Sequence, residues 1–505
     1  FEARAARRLA ALARHIENAP LERACLRRAA SLAPDLPSDF PPDGGRPFRE
    51  VGIPAPPDPP APEGPGPSPV YLETARPTRS MPSFLPLVGD SARAAGHLFL
   101  KAGGDLLAYA PARSGIGEPL WTRSFGEEGG GALLDRGVFA EGRLLVVEGS
   151  RLRGLSASSG EDAFGSRPLP SPPISPSRFV YRDGIVVLAC VGTRQNLVLA
   201  FEVARGTPLW SFPVPGAFAP GILAGDGEVI LLVPEGPKGR VLRVDLASGA
   251  PRGEFEIAEA LERSDPARNA ALAGNWLLLA NLASKVSSGP AILAYRLDGA
   301  ARHPIPAPPG TALEAILLGP AGALAVFGRS RDAAPGGRGL VARILPESGS
   351  TAPYFDLPGG AALLGCTSSE PEASALRRSE AAFPIVVPVE EEALLSVSRE
   401  GSGMARLSLH ESSTGKLLWK KGGSPSPLGS LPRPPMPVLG AHALALIEAR
   451  SDPPSIAFLS RSDGSRLGTL ELKRGTPNRS IEMASIGDRL VVRDGAELRL
   501  IGSRR

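Results

Sequence analysis

A short signature, G-x-x-x-W, recurs along this chain at a spacing that a repeat architecture explains. It occurs at Gly117-Glu118-Pro119-Leu120-Trp121, at Gly206-Thr207-Pro208-Leu209-Trp210 and at Gly415-Lys416-Leu417-Leu418-Trp419. A matching apolar strand stands upstream as Leu106-Leu107-Ala108-Tyr109, as Val198-Leu199-Ala200-Phe201 and as Ile292-Leu293-Ala294-Tyr295. Weaker copies run through Val241–Asp245 with Gly249, and through Ile456–Leu459 with Gly464. The turn glycines fall near 117, 160, 206, 249, 299, 349, 415 and 464, mostly 43 to 50 residues apart. Four short strands and four turns use up such a period, which is the length of one propeller blade. A β-sandwich gives no reason for a turn–Trp signature at a fixed period.

The signature has a physical logic. Glycine at the turn supplies a positive φ that other residues resist. The alanines Ala108, Ala200 and Ala294 let radial sheets approach closely. A tryptophan four residues after the glycine is placed to lie between neighbouring blades, with roughly 200 Å² of ring to bury. The expected fold is therefore all-β: a propeller of about eight four-stranded blades, seven being the next count, over residues 81–505. A further strand pair at Asp488–Arg493 and Glu497–Ile501 lacks an outer strand before the chain ends, and "PVYLETA" (69–75) is suited to supply it.

Two segments precede this region. Residues 1–36 read as helical, with Leu9, Leu12, Ile16, Leu21, Cys25, Leu26 and Ala29 at three- and four-residue steps and Pro20 in the first turn of a second helix. The stretch "LERACLRRAASLAPDLP" resembles the closing helix of a tetratricopeptide repeat. Residues 37–80 read as a linker, since 37–69 contain 13 prolines and favour an extended spacer. The polar stretch 366–383 lengthens one repeat and reads as a loop. The chain begins at Phe1, so its natural start is expected to lie upstream, and membrane association is expected only through such an upstream segment. No run of 18 apolar residues occurs.

The net charge of +4 is local. Residues 1–34 hold seven Arg against three Glu, which leaves the remainder neutral. A basic face for nucleic acid is not expected on the main domain. The cysteines, Cys25, Cys190 and Cys366, form no C-x-x-C pair, and Cys190 sits in an apolar run that suits a small buried thiol.

With these residues in view, the repeat resembles the pattern L-x-A-x-D-x-x-T-G-x-x-L-W of PQQ-like propellers. "RLSLHESSTGKLLWKKGG" (406–423) matches its second half, and "VLRVDLASGAPRG" (241–253) keeps Asp245 and Gly249. The resemblance implies a fold shared by quinoprotein alcohol dehydrogenases and by outer-membrane assembly scaffolds. In the enzyme branch it implies a vicinal Cys-Cys disulfide, a calcium site and a catalytic Asp. No adjacent cysteines exist here, and Asp245 belongs to the repeat turn, where bonding turn amides is the ordinary role of such a residue. The histidines, His15, His97, His303, His410 and His442, show no ligand spacing. "GEEGGGALL" (126–134) lacks the Lys-Ser/Thr ending of a phosphate loop, and Glu390-Glu391-Glu392 would alternate faces in a strand.

No catalytic residue, cofactor or metal site is therefore expected. The expected role is a scaffold for protein partners, at the cell envelope or periplasm by family analogy, and the alternative is a quinone-dependent oxidoreductase with a diverged site.

Overall fold

The computed structural model describes strands and turns between residues 70 and 502. Residues 1–69, the connections 76–82, 90–95, 111–117, 126–136, 171–179, 192–195, 262–265, 281–289, 330–338, 358–361, 364–384, 426–437, 449–454 and 473–480, the end 503–505 and several shorter stretches lie outside the described residues. The readings of 1–36 as helical, 37–69 as spacer and 366–383 as loop fall there. The described residues contain no α-helix, only the single 3-10 turn Pro346–Ser348. The all-β unit begins at Pro67, so strand Val70–Ala75 lies within the stretch read as linker.

Among the described residues nine sheets follow one another along the chain, antiparallel except for one added strand in each of two. Blade 3 shows the plan: Val180–Arg182, Ile185–Val191, Asn196–Glu202 and Pro208–Val214 pair in sequence order. Its first turn is Asp183-Gly184 with φ of 50° and 78°, the left-handed pair that joins twisted strands in a tight hairpin. Blade 4 repeats the plan with Gly221–Ala224, Glu228–Glu235, Lys238–Asp245 and Pro251–Ile257. Burial falls from inside to outside. Seven of the eight residues of Glu228–Glu235 are buried, whereas the outer strand Pro251–Ile257 is mostly exposed. A run such as Val229-Ile230-Leu231-Leu232-Val233 is apolar on both faces because each blade is covered by a neighbour on either side.

The cores lie between blades. Leu223, Ile230 and Leu232 of blade 4 pack with Leu277, Leu279 and Leu293 of blade 5, and similar clusters join blades 1 to 2, 2 to 3, 3 to 4, 5 to 6 and 8 to 9. The ring closes where Leu98, Leu100 and Tyr109 of blade 1 meet Ala484, Val491 and Leu500 of blade 9.

The expectation of eight blades, or seven, is corrected to nine, and the reason is topological. Each of blades 1 to 8 turns from its third to its fourth strand inside the chain, so a turn glycine marks it. Blade 9 takes Ile481–Ile486, Arg489–Asp494 and Glu497–Gly502 from the C-terminal end and its outer strand, Val70–Ala75, from far upstream. It has no such turn and leaves no glycine to count.

Two blades carry a fifth strand. Leu87–Gly89 pairs in parallel with Gly137–Ala140 of blade 2, and Ala362–Leu363 with Ile385–Val389 of blade 7. Both additions sit beside the first strand of a blade. Leu87–Gly89 also lies against Val180–Arg182 of blade 3, and Ala362–Leu363 against Thr311–Gly319 of blade 6. They therefore occupy the inner side of the ring.

Candidate functional site

The residues singled out by the repeat assemble into joints between blades. Trp121, on the outer strand of blade 1, pairs with Ala108 across its own sheet and donates its Nε1 hydrogen to the Ala157 carbonyl of blade 2 at 2.8 Å. Its ring covers Gly160 of blade 2 so closely that a Cβ there would stand 2.5 Å from Trp121 Cδ2. Gly160 also has φ of 71°, so two independent demands exclude a side chain.

The same joint recurs. Trp210 pairs with Ala200, donates to the Leu246 carbonyl at 2.8 Å and covers Gly249 of blade 4. Trp419 pairs with Leu409, donates to the Arg461 carbonyl at 2.9 Å and covers Gly464 of blade 8. Trp121 and Trp419 are buried, and Trp210 is half-buried. Gly117 lies outside the described residues.

Other rings occupy the joints that lack tryptophan. Phe164 covers Gly206, Phe255 faces Gly299, His303 faces Gly349 and Tyr354 lies over Gly415. His303 pairs with Ala294 as Trp121 and Trp210 pair with Ala108 and Ala200, and its Nδ1 meets the Pro346 carbonyl at 2.7 Å. Phe164 and His303 obey the four-residue spacing from Gly160 and Gly299, so the sequence already held the signal for them. Phe255 and Tyr354 stand six and five residues after their turn glycines, beyond that spacing. Large side chains stand opposite glycine in three blades. Phe164 stands opposite Gly154, where a Cβ would lie 2.1 Å from the ring, whereas Gly253 and Gly468 stand opposite Arg243 and Phe458.

A β-bulge aims these rings. In blades 2, 3, 4, 7 and 8 the register skips one residue just before the ring position or the glycine that replaces it: Ala163, Leu209, Arg252, Leu418 and Leu467. An extra residue bends the outer strand and redirects the side chains beyond it. It also turns Leu209 and Leu418 outward, leaving them 41% and 42% exposed.

The acidic residues near the turns are structural in their contacts. Asp245 Oδ1 accepts from the Ser248 amide and hydroxyl, each at 2.8 Å, and from the Ala247 amide, while Oδ2 accepts from Arg252. The Ser248 hydrogen bonds, aided by Arg252, hold its pKa down at about 2. Asp298 is held at about 2 by Arg296 and the Ala300 amide, and Asp463 at about 2 by the Ser465 amide and the Ser460 and Ser465 hydroxyls.

Buried groups also tie blades together. Glu228 accepts from Arg243, which donates onward to the Leu297 carbonyl of blade 5. Tyr295 donates to Glu259, and burial followed by that carboxylate pushes its pKa up to about 12. His410 stacks on Phe355 of blade 6 at 4.0 Å, and burial pulls its pKa down. Cys190 is buried.

Among the described residues no group of three or more His, Cys, Asp or Glu is placed to hold a metal ion. The segments 126–134 and 390–392 lie outside them, as do His15 and His442.

Residues 102–292, from blade 1 into blade 5, match the family model described as outer membrane protein assembly factor BamB. The chain is a β-propeller, and this matched part of it is similar to that PQQ-like family. Solved structures similar to this propeller include BamB from Moraxella catarrhalis, 12% identical over 86% of this chain and 99% of that one, with a TM-score of 0.38. Apo AztD from Citrobacter koseri is 12% identical over 80% and 96%, with a TM-score of 0.41. Quinohemoprotein alcohol dehydrogenase from Comamonas testosteroni is 10% identical over 87% and 77%, with a TM-score of 0.37. No curated protein matches the sequence.

Proposed function

We propose that this propeller is a non-catalytic scaffold that binds proteins at the bacterial cell envelope. The observation that carries the reading is the match of residues 102–292 to the outer membrane protein assembly factor family. Two features of the chain support it. Trp121, Phe164, Trp210, Phe255, His303, Tyr354 and Trp419 are engaged in holding one blade to the next. Extra strands at blades 2 and 7 add to the inner side of the ring. The sequence also lacks the adjacent cysteines that clamp a quinone in the enzyme branch. A rigid ring of this kind presents loops that vary independently of the blades beneath them.

The test is photo-crosslinking of the full chain in intact bacteria, with the products identified after envelope fractionation. An outer-membrane assembly component among the products, together with altered outer-membrane protein levels on depletion, is the expected result. A protein confined to the cytosolic fraction with no envelope partner would overturn the proposal.

A further inference from the structure

The outer strands differ in how their cations are used. Arg123 of blade 1 donates to the Gly160 carbonyl and pairs with Asp162 of blade 2. Arg167 of blade 2 donates to the Gly206 carbonyl of blade 3. Arg252 of blade 4 is tied to Asp245 of its own turn, and Arg302 of blade 5 to Glu259.

Blade 7 departs from this pattern. Lys416, Lys420 and Lys421 are all exposed, and among the described residues none of the three ammonium groups makes an ion pair or hydrogen bond. Asp463, the acid that senses Lys421, is already held by Ser465 and Ser460. Between these lysines, Leu417 and Leu418 are 47% and 42% exposed. The strand that carries them, Leu417–Pro425, is nine residues long and ends its sheet, so among the described residues no strand pairs with its outer edge. Trp419 fixes the strand from beneath through its bond to Arg461.

We infer that this edge takes an extended acidic segment of a partner protein by strand addition. Main-chain hydrogen bonds attach such a segment, its carboxylates meet Lys416, Lys420 and Lys421, and its apolar side chains cover Leu417 and Leu418. The inference rests on the scaffold reading and adds the chemistry of the partner. Lysines and a bulge on an edge strand can instead serve to prevent pairing between sheets. The two roles give opposite results.

The probe is a fluorescein-labelled peptide of four Val-Glu repeats, titrated by fluorescence anisotropy against the full chain at low salt. Saturable binding is expected. It should weaken about tenfold or more when all three lysines are replaced by Glu, because three exposed attractions become repulsions. It should weaken similarly when alternate peptide nitrogens are N-methylated, which removes strand donors but keeps the charge. Equal binding of a Val-Lys peptide, or indifference to the lysine changes or to N-methylation, overturns the inference. So does an absence of binding, and self-association of a triple Lys→Val variant would then assign the lysines to edge protection. A failure here leaves the scaffold reading to be judged by the envelope crosslinks.

Discussion

Gly142 and Gly160 lie in the same blade and share a φ of 71°, yet only Gly160 sits under a ring. This pair separates backbone strain from crowding. In Gly142→Ala the new Cβ meets nothing within 4 Å, so the cost is that of a left-handed alanine, about 1–2 kcal/mol. In Gly160→Ala the same strain applies, and the Cβ falls 2.5 to 2.8 Å from three atoms of the Trp121 ring. Overpacking of this kind adds about 1–3 kcal/mol, for a total of about 2–5 kcal/mol. Trp121→Ala by itself costs about 3–5 kcal/mol. In the double variant the ring is gone, so Gly160→Ala should fall back to about 1–2 kcal/mol, a coupling of about 1–3 kcal/mol. Urea unfolding midpoints of the four variants and the parent, read by one probe, give the comparison. If Gly142→Ala and Gly160→Ala cost the same, or if Gly160→Ala costs as much without Trp121 as with it, the joint does not hold the blades as described.

Three further outcomes are expected from the geometry. Trp419→Ala should cost about 3–5 kcal/mol in urea unfolding, and Trp210→Ala about 2–3 kcal/mol because its ring is only half-buried; equal losses would contradict the difference in packing. Asp245, Asp298 and Asp463 have folded-state pKa values of about 2 against an ordinary 3.8, so their contribution is complete above about pH 4 and lost as pH falls toward 2. The midpoint of Asp245→Asn should therefore lie below the parent at pH 5 and converge with it near pH 2, and a gap that stays constant would contradict the assignment. Deleting residues 1–76 removes the outer strand of blade 9 and should lower the melting temperature below that of a 1–66 deletion, which keeps the strand; equal temperatures would contradict the ring closure.

Much of the propeller was legible because the turn glycines and the tryptophans report local geometry. Positive φ and a ring four residues later are properties of one hairpin, and a hairpin can be read from adjacent residues. Phe164 and His303 obeyed the same spacing and could have been read with the tryptophans. Phe255 and Tyr354 could not, because Gly253 and the bulge at Tyr354 shift the ring along the strand. The ninth blade was hidden for a different reason. Its C-terminal strand pair and its outer strand within 69–75 were both legible, but the blade count rested on third-to-fourth turn glycines, and blade 9 has none. The uneven use of cations was also beyond the sequence. Arg123 and Lys420 both stand on outer strands, and only the neighbouring blade decides which of them finds a carboxylate.

The most direct test of a scaffold against an enzyme is a titration of the purified full chain with pyrroloquinoline quinone and calcium, followed by absorbance. Dye reduction is read in parallel with alcohols and sugars as electron donors. A scaffold predicts no saturable spectral change and no donor-dependent dye reduction. Saturable, calcium-dependent quinone binding accompanied by dye reduction would contradict it.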